Sequence, residues 1–322
     1  MTPQGDKIII ETGMLKTATA FAPASVGNTA SGFDILGFCL AEPGDTVTAR
    51  RTDEPSVIIE EISGMVEDLP LEAKKNTAGK AALSVLERAR AEFGVVLRIQ
   101  KGIALGSGMG GSAASAVAAA VAVNALLPKP LPQNVLYQAA LDGEAMASGA
   151  RHGDNVGPAL IGGIVLTDKD AVYAMPIPDG VFAVVVHPPI VLHTREMRAA
   201  IPPTVPLQTV TSQTRNFGKL ILGCLTNDDA LISQGLHDVM IEPHRAPFIP
   251  KLDEVLSAAR ANGALGGSIA GAGPSIFAWV RGEAAANAVC RSMQLAFAMP
   301  NVDIYISPLN IPGARLVSHE IL

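Results

Sequence analysis

Cysteine, clustered basic residues and long apolar runs are all scarce in this chain, and each scarcity removes a class of protein. Only three cysteines occur in 322 residues, Cys39, Cys224 and Cys290, far apart and within apolar sequence. They read as packed, reduced thiols of a cytoplasmic protein, which sets aside a disulfide scaffold and a cysteine metal site. Net charge is −6 and no run of Lys or Arg occurs, so neither nucleic acid nor an anionic membrane is an expected partner. The longest uncharged segment, Gly102 to Leu127, is dominated by Gly, Ala and Ser and is too weakly apolar to span a bilayer. Met1 to Glu11 lacks the apolar core and cleavage pattern of a signal peptide. What remains, 48% apolar and 17% charged residues, describes a globular protein with ample material for burial, and its length favours two domains.

The most informative stretch is LRIQKGIALGSGMGGSAASAVAAAVAVNALL, Leu97 to Leu127. A β-branched run predicts a strand, five glycines between Gly102 and Gly111 predict a loop, and the alanine-rich remainder predicts a helix. Glycines allow positive φ and close approach to a ligand, and the helix start offers unpaired N–H groups at the positive end of its dipole. Gly106, Ser107, Gly108, Met109, Gly110, Gly111, Ser112 and Ala113 are therefore the candidate phosphate-binding residues, with the hydroxyls of Ser107, Ser112 and Ser115 within reach of phosphate or a metal ion. Gly106, Gly108 and Gly111 spell a dinucleotide fingerprint, but no acid follows at the ribose-binding distance, where Pro128 to Leu131 stand. No Lys-Ser or Lys-Thr closes the loop as in a P-loop.

Read in order, Leu15 to Ala22 alternates like a strand, and PASVGNTASGFD, Pro23 to Asp34, is a polar loop whose Ser25, Asn28, Ser31 and Asp34 suit small polar ligands. Strands are expected from Ile35 to Ser63, broken by turn residues, and an amphipathic helix over Asn76 to Phe93 ended by Gly94. A helix over Asn134 to Ser148, ended by Gly149, carries Glu144 among alanines, which suggests a carboxylate aimed at a magnesium ion. Ala150 to Leu166 reads as a loop with His152, Asp154 and Asn155 feeding a strand, and Pro176 to Gly180 marks the domain boundary, giving 1–178 and 179–322. Further on, Thr194 and Arg198 lie one helical turn apart, and Arg245 follows a kink at Pro243. Helices are expected at Leu207 to Leu225, Asp228 to Met240, Pro250 to Asn262 and Glu283 to Phe297, and a second glycine-rich turn, GSIAGAGPSIFAWV, begins at Gly267. This order fits an α+β layer of ferredoxin-like type.

PASVGNTASGFD, GSGMGGSAAS and AGAGPS, in that order from about residue 17 to residue 280, resemble the three motifs of the GHMP kinases. GFD at Asp34, HGDN at His152 to Asn155, TREMR at Thr194 to Arg198 and EPHR at Glu242 to Arg245 are most similar to the homoserine kinase branch. The resemblance implies an N-terminal domain of ribosomal protein S5 domain 2-like fold and a ferredoxin-like C-terminal domain, forming a homodimer. It implies transfer of the γ-phosphoryl group of ATP to the hydroxyl of L-homoserine, with Gly106 to Ala113 wrapping the phosphates and Ser112 and Glu144 holding Mg²⁺. His152, Asn155, Thr194 and Gly271 match substrate-side positions, and Asp154 resembles the catalytic aspartate of mevalonate kinase and galactokinase. Independently, an amino-acid substrate asks for guanidinium on its carboxylate, which Arg198 and Arg245 could supply, and acid or amide on its ammonium, as in Asp34 and Asn28. Gly111-Ser112 stands where the family has Ser-Ser, and Ala270-Gly271 where it has Ser-Gly. Another GHMP kinase of diphosphocytidyl-methylerythritol or mevalonate type, or a non-catalytic binding protein on the same scaffold, are the alternatives.

Overall fold

Strand alternation produces two sheets that share one core. The structure, a computed structural model, describes residues 15–149 and 151–321; the Met1 to Glu11 segment lies outside them. The first sheet contains β1 (Leu15–Val26), β2 (Leu36–Thr52), β3 (Val57–Gly64), β4 (Gly94–Lys101), β5 (Ile164–Thr167) and β6 (Val172–Ala174). It is completed by β11 (Arg315–Ile321), in the order β11-β1-β2-β4-β3, with β5 and β6 branching from β2. Only the β3–β4 pairing is parallel.

Four helices cover this sheet: α1 (Thr77–Ala89), α2 (Gly111–Ala125), α3 (Gln133–Ser148) and α4 (Gly153–Ile161). The second of these is buried over almost its whole length, packed against β1 and β2 as well as α1, α3 and α4. A helix enclosed on all sides has no use for a polar face, and alanine lets each neighbour approach closely. Its alanine-rich sequence follows from that position.

The second sheet has β7 (Val181–His187), β8 (Ala264–Ile269), β9 (Ile276–Arg281) and β10 (Asp303–Pro308) in the antiparallel order β10-β7-β9-β8. With α9 (Leu252–Ala261) after β7 and α10 (Glu283–Phe297) after β9, this is the split βαβ arrangement of a ferredoxin-like layer. The period of two divides each strand between two cores. Val184 and Val186 pack with the helices α9 and α10, whereas Ala183 and Val185, with Phe277 and Trp279, join the core of the first sheet. Phe38 of β2 meets Phe277 and Trp279 edge-on, with ring centroids 5.3 and 5.5 Å apart. The remaining helices, α5 (Thr194–Ala199), α6 (Leu207–Thr226), α7 (Asp229–Gly235) and α8 (Glu242–Arg245), lie in the connection between β7 and α9.

Several expectations need amendment. The helix expected to run to Phe93 is capped by Asn76, whose Oδ1 accepts from the N–H groups of Ala78 and Gly79, and it ends at Arg90 in a left-handed conformation with φ of 51°. Gly94 does not end it, but opens β4. The expected Asp228 to Met240 helix stops at Gly235, because Asp238 accepts from the N–H groups of Met240, Ile241 and Glu242 and turns the chain into α8. The loop expected after Ala150 contains a full helix, α4. The proposed division at residue 178 falls between β6 and β7, but β11 crosses back to pair with β1, so 315–321 lies in the first sheet.

Because Phe38 is fully buried between the sheets, Phe38→Ala should lower stability by about 3–5 kcal/mol. Urea unfolding measures this, and a loss well under 1 kcal/mol would show that the two layers do not depend on the contact.

Candidate active site

The loop between β4 and α2 lines a cleft of about 630 Å³. Gly106, Gly108 and Gly110 adopt φ of 64°, 80° and 65°, a left-handed geometry that costs glycine nothing. At two of them space is also decisive: a Cβ on Gly108 would sit 2.3 Å from the Ala270 carbonyl, and one on Gly110 would sit 2.3 Å from Ser25 Oγ. The neighbours that crowd the loop also hold it. Ser25 N–H donates to the Met109 carbonyl (3.1 Å), and Ser275 donates to the Ser107 carbonyl through N–H (3.3 Å) and Oγ (2.7 Å). Gly271 N–H in turn donates to the Gly27 carbonyl at 3.1 Å. The three sequence motifs thus close on one another.

α2 begins at Gly111 without a side-chain cap, so its first-turn N–H groups lack intrahelical acceptors and offer an anion site. Ser112, partly exposed on that turn, lines the cleft. Ser107 and Ser115 are otherwise engaged: the first accepts from Met109 N–H, and the second donates to Asp45 at 2.6 Å. The side chains of Met109 and Ala113 are fully buried and absent from the cleft lining, so they anchor the loop and can offer a ligand only backbone. Beneath the turn lies an ion pair that motif reading missed. Buried Lys101 bonds to buried Asp45, to Ser115 Oγ and, at 2.8 Å, to the Gly111 carbonyl. The signal was present in β4, where Leu97, Ile99 and Lys101 share the inward register.

Every substrate-side residue named from the sequence lines the same cleft: Asn28, Asp34, His152, Asn155, Thr194, Arg198, Arg245 and Gly271. Arg198 and Asp34, assigned from sequence to opposite ends of a substrate, are joined to each other by two hydrogen bonds of 2.7 and 2.8 Å. The bond to Asp34 raises the Arg198 pKa above its ordinary value. Arg245 is buried and donates to the Gly271 carbonyl at 2.8 Å, which Asn28 Nδ2 also reaches at 3.0 Å. Burial and the nearby Arg198 pull its pKa down. Thr194 opens α5, and Asn155 Oδ1 accepts from Ser25 Oγ at 3.2 Å.

Three ionisable groups from α3 and the start of α4 line the same cleft. Glu144, buried on α3, faces His152 Nδ1 at 3.3 Å. On the other side of the ring, Arg198 Nη2 lies 3.4 Å from Nε2; a guanidinium only donates, so in the neutral imidazole the proton sits on Nδ1. Burial lowers the His152 pKa, but Glu144 and Asp154 outweigh it and the net shift is upward. Asp154, in the first turn of α4, is buried and accepts from Asn28 N–H at 2.8 Å through Oδ2. Its Oδ1 has no hydrogen-bond partner among the described residues. Burial, with the Asp34 charge nearby, pushes its pKa up to about 6.

The family model for the GHMP kinase N-terminal domain matches residues 76–163, and that for the GHMP kinase C-terminal domain matches residues 220–298. The homoserine kinase of Xanthomonas campestris is 49% identical over 306 residues, covering 94% of this chain and 95% of that protein. The chain belongs to the GHMP kinase family. The homoserine kinase of Chlorobaculum tepidum is 43% identical to this GHMP kinase over 94% of its length and 99% of the relative's. A solved homoserine kinase from Cytophaga hutchinsonii superposes with a TM-score of 0.91 at 38% identity, covering 96% of this chain and 100% of that one. L. major mevalonate kinase shares the fold, with a TM-score of 0.70 at 16% identity over 92% of this chain and 98% of that one. The matched domains contain the phosphate loop, Glu144, Asp154, Arg245 and Gly271 of this GHMP kinase, while Asn28, Asp34 and Arg198 lie outside both.

The folded pKa of Asp154 lies above the value of 3.8 usual for an aspartate, so its charge costs stability above pH 6 and that cost fades as pH falls through 6 toward 4. Asp154→Asn keeps an acceptor for Asn28 N–H and should be more stable than wild type at pH 8 by up to about 3 kcal/mol, the full linkage of a shift from 3.8 to about 6. Urea unfolding at pH 8, 6 and 5 should show the gap closing on acidification; a variant less stable at every pH would contradict the assignment.

Proposed function

We propose that this GHMP kinase transfers the γ-phosphoryl group of ATP to the side-chain hydroxyl of L-homoserine, giving O-phospho-L-homoserine on the route to threonine. The observation that carries the reading is the grouping of Asp34, Arg198 and Arg245 in the cleft that also contains the glycine loop. Both arginines lie over the ring of Phe33, at 5.0 and 5.5 Å from its centroid. Carboxylate and guanidinium groups beside an anion-binding helix start match an acceptor with an ammonium, a carboxylate and a hydroxyl. The whole-length similarity to proteins named homoserine kinase supports the same acceptor.

The triphosphate belongs at the first turn of α2, with the apolar wall of Val66, Leu69, Pro70 and Leu105 beside it for the base. Ser112 and Glu144 offer one hydroxyl and one carboxylate oxygen donor in the cleft, a set that suits an Mg²⁺ ion arriving with nucleotide and completing its shell with phosphate and water. Bound there, the ion would neutralise phosphate charge. Transfer forms the bond from the substrate oxygen to the γ-phosphorus and breaks the bond to the ADP oxygen, and the hydroxyl proton goes to Asp154. The unpartnered Oδ1 supports that role, and a pKa near 6 leaves it mostly ionised at neutral pH. Catalysis otherwise rests on positioning and on the loop's N–H groups, as the loose transition state of phosphoryl transfer requires.

The same reading places the protein in the cytoplasm, consistent with three buried free cysteines. It also makes the protein a homodimer, and the exposed Leu207, Val210, Leu222 and Leu225 of α6 offer one apolar strip that a self-complementary contact would bury. The test is coupled ADP release with ATP and magnesium on L-homoserine, mevalonate, galactose and the diphosphocytidyl sugar alcohol. Turnover on homoserine alone is expected, whereas turnover on another acceptor would retain the phosphate loop and overturn the substrate. On homoserine, near-full turnover by Asp154→Asn would remove the base role.

A further inference from the structure

The buried cation beneath the phosphate loop has no part in the reaction proposed above. Lys101 donates to Asp45, to Ser115 Oγ at 2.8 Å and to the Gly111 carbonyl at 2.8 Å. An ammonium has three donors and no acceptor, so all three are engaged and none remains for a phosphate. Asp45 is equally committed, accepting from Gly102 N–H at 2.9 Å and from Ser115 Oγ at 2.6 Å as well as from Lys101. The location is electrically unfavourable. Lys101 touches the first residue of α2, where the helix dipole is already positive and a cation is disfavoured. Burying both ions adds a desolvation cost, and well-packed apolar residues in place of such a pair are often as stable or more so. Fold stability alone therefore does not account for the pair.

The bond to Gly111 supplies a reason. The Gly111 carbonyl and the Ser112 N–H belong to one planar trans peptide unit and point in opposite directions. A cation on the carbonyl makes that N–H a stronger donor, because hydrogen bonds in a chain polarise one another. α2 has no side-chain cap, so the Ser112 N–H in its first turn lacks an intrahelical acceptor and faces out of the helix start. Ser112 lines the cleft. We infer that Lys101 is a positioning residue for nucleotide: anchored by Asp45, it orients and polarises the Gly111–Ser112 peptide so that the Ser112 N–H binds phosphate more strongly. This rests on the placement of the triphosphate at the first turn of α2 given above, and adds the group beneath the turn that strengthens it.

The test removes the charges together, so that neither is left alone in the interior. In Lys101→Met/Asp45→Asn, asparagine keeps an acceptor for Gly102 N–H and methionine fills the space of the lysine stem. In Lys101→Gln/Asp45→Asn, glutamine also retains an uncharged N–H donor for the Gly111 carbonyl. For each, calorimetry gives the dissociation constant of MgATP, ADP release gives the KM of homoserine at saturating ATP, and circular dichroism reports folding. MgATP affinity should fall roughly tenfold in the methionine pair and by less in the glutamine pair, while the homoserine KM stays within about twofold of wild type. Wild-type MgATP affinity in a folded methionine pair, or ATP and homoserine affinities falling in proportion, would overturn the positioning role and leave the phosphate site standing. A wild-type protein that does not bind MgATP would overturn both. Failure of both double variants to fold would make the ion pair a determinant of the fold alone, which also overturns the inference.

Discussion

The rest of the structure depends on the backbone of the phosphate loop being held by hydrogen bonds from two distant segments. A loop with glycine at 106, 108 and 110 has little conformational preference of its own, and ordering it alone would cost entropy at every residue. Here Ser25 from the end of β1 and Ser275 from the turn before β9 fix its carbonyls, and Gly271 is tied to Gly27. Those segments belong to different sheets, so the loop is rigid only while the sheets keep their relation. The contact of Phe38 with Phe277 and Trp279 in the shared core maintains it.

Two ion pairs, one beneath the phosphate loop and one lining the cleft, show how burial divides scaffold from function. Lys101 and Asp45 are 7% and 0% exposed, with Gly102 N–H and Ser115 also bound to the carboxylate. Breaking that pair would leave a charge in the interior at a cost of about 3–5 kcal/mol, so it acts as a fixed support under α2. Asp34 and Arg198 have the same chemistry with about 40% exposure, where separation costs little. The geometry of the first is part of the fold, and that of the second is available to a ligand.

Much of this was legible from sequence where the determining interactions are local. β4, the glycine loop and α2 follow from adjacent residues, and α10 runs over Glu283–Phe297 as its pattern predicts. The positions of Thr194 and Arg198 on α5 follow from helical spacing. α4 was not legible, because Gly153, Gly157 and Pro158 read as loop residues; burial between its neighbours outweighs their poor helix propensity. The return of β11 to β1, the Lys101–Asp45 support and the Asp34–Arg198 pairing are long-range contacts that spacing cannot supply. The candidate residues could be gathered by motif, but which of them touch could not.

Amide hydrogen exchange with and without a non-hydrolysable ATP analogue and magnesium tests the central claim most directly, that three separated glycine-rich motifs form one nucleotide-dependent unit. The account predicts slower exchange on binding in the segments around Gly106 to Ala113 and around Gly271 to Ser275 together, with a smaller effect near Ser25 to Asn28. Protection confined to another part of the molecule, or protection of the loop with no response from its two partners, would contradict it.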